Sequence, residues 1–207
     1  MTLGQIYALL AEEDLVNMDM RSVLSCLTAA VGLTPSLLPR GVNAFQDALV
    51  RSLSRTSVPI HTDQEILGWI TDIRGREHMR VEKVSLDGLH GWHRGEGRIS
   101  HESGRFFDVI GVEVTAVGRE VRQWAQPMVA PNGTGVIAFL TAEFDRVLHV
   151  LTHQRAEPGF LDVTELAPTV QCVPESYEVL SAQARPPYLD AVLGAAPDRV
   201  RYDVLLS

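Results

Sequence analysis

Residues 101–114 read HESGRFFDVIGVEV, and this stretch decides the fold class. A turn at Ser103-Gly104 delivers the chain into a run of Phe, Val and Ile, whose branched and aromatic side chains suit a pleated surface better than a helix. The same grammar extends outward on both sides. MRVEKVSL (79–86) alternates, GVIAFLTAEF (135–144) is a continuous apolar run, and RVLHVLTHQRAEPG (146–159) closes in a Glu157-Pro158-Gly159 turn. Residues 164–173 and the final RVRYDVLLS (199–207) read as further strands, and PPYLDAVL (186–193) as a short helix after a Pro-Pro entry.

Toward the N-terminus the period changes. Ile6, Leu9, Leu10, Val16, Met20, Val23, Leu24 and Leu27 recur at three- and four-residue steps from Leu3 to Val31, the helical period, until Gly32 and Pro35 end it. Residues 42–54 carry Phe45, Leu49, Val50 and Leu53 on one face, and Ser57-Val58-Pro59 closes this second helix of a hairpin. A third helix over 63–74 starts from a cap at Thr62 or Asp63 and presents Ile66, Leu67, Ile70 and Ile73. Helices followed by short strands predict an α+β fold, with a mostly antiparallel or mixed sheet flanked by helices. Residues 1–58 are expected to form an N-terminal helical extension, and residues 59–207 the main domain.

The chain has 207 residues, 45% of them hydrophobic, enough for one sizeable core. A net charge of −8 and a pI near 5.3 argue against a general grip on phosphate backbones, so nucleic acid is not an expected partner. Cys26 and Cys172 form no CxxC or Cys/His ligand spacing, which predicts two buried thiols in a reducing compartment and no zinc site. No apolar run reaches the roughly 20 residues of a membrane span, and Met1 to Asp14 lacks the pattern of a signal peptide. A cytoplasmic location with no membrane partner is the expectation.

Ionisable, aromatic and amide side chains gather in four places: His101, Ser103 and Arg105; Arg119, Glu120, Trp124 and Gln126; Glu157 in its turn; and Glu165, Thr169, Gln171 and Tyr177. Each has a structural alternative. His101 beside Ser103 can cap a turn, Arg105 and Arg119 can pair with surface carboxylates, and Trp124 can be core. Glu165 stands out because Leu166, Ala167 and Pro168 give no reason for a charge there, although an arginine could pin it structurally. GxSxG, P-loop, GxGxxG and HExxH motifs are absent. His149 and His153 lie four apart with no third ligand indicated, so no metal is expected.

Taken in order, Gly91-Trp92, ISHESGRFFDVIGVEV (99–114), REVRQWAQPM (119–128), EPG (157–159), ELAPTVQ (165–171), PPYLD (186–190) and VRYD (200–203) resemble the NDP-hexose 2,3-dehydratase family of deoxysugar and antibiotic biosynthesis. The resemblance runs from about Ile66 to Asp203, and residues 1–58 contribute nothing to it. It implies a Nudix-hydrolase-like fold without the metal-binding Nudix signature, a dTDP-4-keto-6-deoxyglucose or near relative as substrate, and no cofactor. It further implies Glu165 or His101 for proton transfer, with Gln171 and Thr169 holding the ketone or sugar hydroxyls. Arg105 and Arg119 would take the diphosphate and Trp124 or Tyr188 the thymine, with Gln126 as a further substrate contact. Glu165, Thr169 and Gln171 would then share one strand face aimed at a sugar pocket. Family members resemble tandem duplications of this module, so a homodimer imitating the tandem pair is expected. Two other readings remain open: a dehydratase of a carrier-bound, polyketide-type β-hydroxyketone, and a non-catalytic partner subunit.

Overall fold

The N-terminal segment folds because its polar residues fall where helix ends need them. In the computed structural model, which describes residues 1–26, 43–54, 56–118, 120–178 and 180–200, helix α1 (Leu3–Leu9) is capped by Thr2. The Thr2 hydroxyl accepts the Gln5 N–H while the Gln5 side chain accepts that of Thr2. Helix α2 (Met18–Ser25) starts from Asn17, whose Oδ1 accepts the Met20 N–H. The continuous helical period expected from Leu3 is therefore interrupted, at a turn where Asp14 takes a positive φ of 55°. Arg21 fixes that turn by donating to the carbonyls of Leu10, Glu12 and Val16. Residues 27–42, with the expected stop at Gly32 and Pro35, lie outside the described residues. Helix α3 is Ala44–Leu53 and helix α4 is Asp63–Arg76, the latter entered through a Thr62–Glu65 capping box.

Strands β1 (Trp92–Gly95), β2 (Arg98–His101), β3 (Phe107–Thr115) and β4 (Gln123–Pro131) form one antiparallel sheet in that order. The following strands are β5 (Val136–Ala138), β6 (Thr141–Phe144), β7 (Val147–Val150), β8 (His153–Ala156), β9 (Thr164–Ala167) and β10 (Val170–Cys172). They pair as β5 with β10, β6 with β7 and β8 with β9, and a short helix α5 (Leu189–Leu193) comes last. Helices together with antiparallel strands give an α+β composition. No helix among the described residues is long and apolar enough to cross a membrane.

Several expected strands are shorter than their apolar runs. GVIAFLTAEF divides at Phe139-Leu140 and the next run at Leu151-Thr152, where the Leu151 N–H donates to the Leu140 carbonyl at 2.9 Å. Residues 164–173 break at Pro168, which has no N–H to give a ladder. Among the described residues MRVEKVSL pairs with no strand, and its Val81 and Val84 are exposed. Residues 201–207 lie outside the described residues. The thiols are also less enclosed than expected, because Cys26 sits at the exposed C-terminal end of α2 and Cys172 is half-buried at the end of β10.

The chain divides into two compact units. The first comprises residues 1–81, 137–171 and 190–207, the second residues 82–136 and 172–189. The core of the first unit joins Leu3, Ile6 and Leu9 of α1 and Met20 and Leu24 of α2 with Leu53, Ile66, Ile70, Val150 and Leu166. Helices α1 and α3 approach closely, since a Cβ on Gly4 would lie 3.0 Å from the Leu53 carbonyl. The Val150 N–H donates to the Met1 carbonyl at 2.8 Å, tying the first residue to β7. The first helices thus contribute core residues to this unit. In the second unit, the buried residues among those described are Asp108, Ser176 and Leu189.

Candidate functional site

Strand β9 is buried along its whole length, and Glu165 is its one ionisable residue. Across the β8–β9 ladder it faces Arg155, and facing residues of an antiparallel pair share a side of the sheet. Arg155 donates to Glu157 and, at 2.7 Å, to the Gln171 carbonyl. Burial raises the pKa of the Glu165 carboxyl from its ordinary value; the nearby Asp14 and, to a smaller degree, Glu157 add to the rise, while Arg21 and Arg74 oppose it. Desolvation outweighs the two guanidiniums, which makes the ionised form a stronger base than an exposed glutamate.

The neighbours expected beside Glu165 are engaged elsewhere. Gln171 accepts from Asn17 Nδ2 at 2.6 Å and donates to Asp19, so both ends of its amide tie β10 to the start of α2. The Thr169 hydroxyl donates to the Leu151 carbonyl and accepts the Leu140 N–H at 2.9 Å, joining two strand connections. Because the strand breaks at Pro168, Glu165, Thr169 and Gln171 do not line one continuous strand face. The residues that do surround Glu165 electrostatically, Asp14, Arg21, Arg74 and Glu157, come from several elements of the first unit. Only Glu157, through its turn with Pro158 and Gly159, gave a signal in the sequence.

The remaining expected site residues belong to the second unit. His101 Nδ1 accepts from the Ser103 N–H at 3.2 Å and pairs with its hydroxyl at 2.7 Å, leaving the ring proton on Nε2. The imidazole packs edge-on against Trp92 and Phe106. A Cβ at Gly91, where φ is +76°, would stand 2.6 Å from Nε2, so glycine alone fits. His101 therefore caps the Ser103-Gly104 turn in this geometry. Arg105 donates to the Glu175 carbonyl and, at 2.9 Å, to Glu178. Trp124 donates to Gln126 at 2.7 Å along β4, and Tyr188 is exposed at a φ of 65°. Arg119 lies outside the described residues.

His149 is buried in β7, where Nδ1 donates to the Val147 carbonyl and Nε2 accepts the Ile60 N–H at 3.2 Å. His153 lies on β8, opposite Ala167, and burial holds its pKa below the ordinary histidine value. Among the described residues, no group of three or more His, Cys, Asp or Glu side chains is arranged to hold a metal ion.

Comparison with known proteins bears on the whole arrangement. A family model described as NDP-hexose 2,3-dehydratase matches residues 63–207. The chain is 40% identical over all 207 residues to a dTDP-4-dehydro-6-deoxy-alpha-D-glucopyranose 2,3-dehydratase of Saccharopolyspora spinosa, of which it covers 42%. It is 41% identical to the protein of that name from Amycolatopsis orientalis, covering 39% of it. A third relative, from Streptomyces violaceoruber, is 40% identical over 201 residues, which are 42% of its length. The chain thus spans about two fifths of the length of these relatives. The first two alignments include residues 1–58, for which the sequence alone suggested no kinship.

Proposed function

The chain belongs to the NDP-hexose 2,3-dehydratase family, and from that premise we propose that it removes water across C2 and C3 of a dTDP-4-keto-6-deoxyhexose with Glu165 transferring the proton. In such a sugar the C4 ketone acidifies the C3 proton. A base takes that proton to give an enolate, and the enolate expels the C2 hydroxyl, which leaves as water once protonated. The resulting enol becomes the 3,4-diketo sugar when a proton reaches C2. The chemistry requires a general base to take the C3 proton and a proton donor for the departing hydroxyl.

The observation that carries this reading is the Glu165 carboxyl, the one ionisable group on the buried strand β9, whose pKa is raised by desolvation. Perturbed acids of this kind concentrate where chemistry is done. Gln171 and Thr169 serve the same reading indirectly, because their hydrogen bonds fix β10 and the strand connections beside β9. A Nudix-hydrolase-like fold, a cytoplasmic place of action and assembly as a homodimer belong to the same proposal. The nucleotide sugars named for the relatives support the substrate class.

Incubation with dTDP-4-keto-6-deoxyglucose in deuterated water, followed by proton NMR, tests the assignment. The parent chain loses the C3 proton and gains deuterium at C2. In Glu165→Gln, folded by circular dichroism, the rate falls about 10²- to 10⁴-fold. Turnover at the parent rate in that variant refutes the role of Glu165.

A further inference from the structure

The segment leading into β9 holds an uncommon backbone state. Val163, a β-branched residue, has a φ of +67°, a region such side chains almost never occupy. The Thr164 N–H donates to the Asp162 carbonyl at 2.7 Å, closing a three-residue ring around Val163. With positive φ at its centre, that ring is the rare, strained form of the γ-turn. Strain of this kind persists only where the surroundings over-determine the conformation.

Here the surroundings converge on one guanidinium. From the last turn of α4, Arg74 donates through Nη1 to Asp162 Oδ2 at 2.6 Å, and through Nε and Nη2 to the Thr164 carbonyl at 3.3 Å each. Nη2 also reaches the carbonyl of Asp14, a second non-glycine residue at positive φ. The Thr164 carbonyl belongs to the peptide unit that joins Thr164 to Glu165. Arg74 therefore grips both sides of the strained turn and the peptide unit from which Glu165 departs. Its ion pair with Asp162, which is half exposed, is by itself a weak interaction. The fork of donors is what matters, because a lysine ammonium is a point charge that cannot span these acceptors in fixed geometry.

Resting on the function proposed above, we infer that Arg74 is a positioning residue for Glu165, holding its backbone in the reactive placement by clamping the Asp162–Val163–Thr164 turn. Catalysis depends steeply on placement, so loosening the clamp is expected to lower kcat rather than substrate affinity.

Arg74→Lys, which keeps the charge, and Arg74→Gln, which removes it, test this on the whole chain. In Arg74→Lys, kcat falls about 10²-fold with KM nearly unchanged. The strong intraresidue HN–Hα NOE that marks positive φ at Val163 weakens in the same variant. In Arg74→Gln the same losses appear, and carbon-detected NMR places the Glu165 carboxyl titration at higher pH, because an opposing cation is gone. Should Arg74→Lys not fold, Asp162→Asn, which weakens only the Nη1 contact, carries the NOE and kcat measurements. A parent-like NOE at Val163 and parent-like kcat in Arg74→Lys overturn the inference, and the NOE decides against the clamp even in a protein without turnover. An active Glu165→Gln would instead refute the function proposed for Glu165 and leave the clamp to be judged by the NOE alone.

Discussion

Glu165 and Gln171 lie six residues apart in one motif, yet their side chains meet opposite fates. Gln171 has both ends of its amide committed to Asn17 and Asp19, whereas Glu165 is left to the fields of Arg21, Arg74, Asp14 and Glu157. This distinction was half legible in the sequence. A lone carboxylate among Leu, Ala and Pro is costly and announces itself, but nothing local connects Arg74 to Thr164, ninety positions away. Burial of Glu165 also has a consequence for stability. Its folded pKa is raised, so the folded state holds the proton more tightly than the unfolded chain, whose carboxyl titrates near about 4.3. The contribution to stability is complete below that value and is lost as pH rises through the folded pKa. Glu165→Gln removes the loss. Its melting temperature relative to the parent is therefore expected to climb from pH 4 upward and level off once the parent's carboxyl is ionised. A constant difference between the two proteins across that range would mean that burial does not perturb this group.

At the scale of elements, sequence signals worked best where the backbone itself demands a residue type. Thr62 and Glu65 form the capping box that opens α4, and Ser103-Gly104 makes the turn into β3. Strand lengths were less legible, because a continuous apolar run such as 135–144 does not say where its partner strand ends. Strand β4 shows a device that a propensity reading passes over. It ends the order of the four-stranded sheet, and its edge away from β3, which pairs with no further strand among the described residues, carries two prolines. The Asn132 N–H donates to Phe106 and the Ala116 N–H to Arg122, so even-numbered residues of β3 make the ladder bonds and odd-numbered residues of β4 point their N–H groups outward. Pro127 and Pro131 fall in the outward set and leave gaps in the edge that an added strand would need. Replacing both by Val restores the missing donors without touching the bonds to β3. Light scattering of that variant is expected to show concentration-dependent self-association beyond that of the parent. An unchanged molar mass would mean that something other than the prolines protects this edge.

For the whole molecule, burial is distributed very unevenly, and this is where sequence reading reached its limit. The helical period of residues 3–24 is plain, but whether those helices form an appendage or a core is decided by contacts with Leu53, Ile70, Val150 and Leu166, which no local pattern encodes. The candidate residues likewise fell into two units, with Glu165, Thr169 and Gln171 in one and His101, Arg105, Trp124, Gln126 and Tyr188 in the other. The first unit buries Ile6, Met20, Leu24 and Leu166 almost completely, whereas Leu189 is the one fully buried hydrophobic residue described in the second. One side of the second unit's sheet even carries exposed apolar residues, Phe107 and Val129 among them. Opening free energy follows the apolar contacts that opening breaks, while a hydrogen-bonded ladder with little covering it resists opening weakly. Native-state hydrogen exchange should therefore separate the units: amides of α1, α2, β7 and β9 exchange only through the largest opening, and those of β3 and β4 exchange faster, in a smaller one. The ordering should hold in Glu165→Gln, since it arises from core contacts and not from the charge on β9. Equal protection of β3 and α2 would show that the two units open together and that burial within each does not set their separate stabilities.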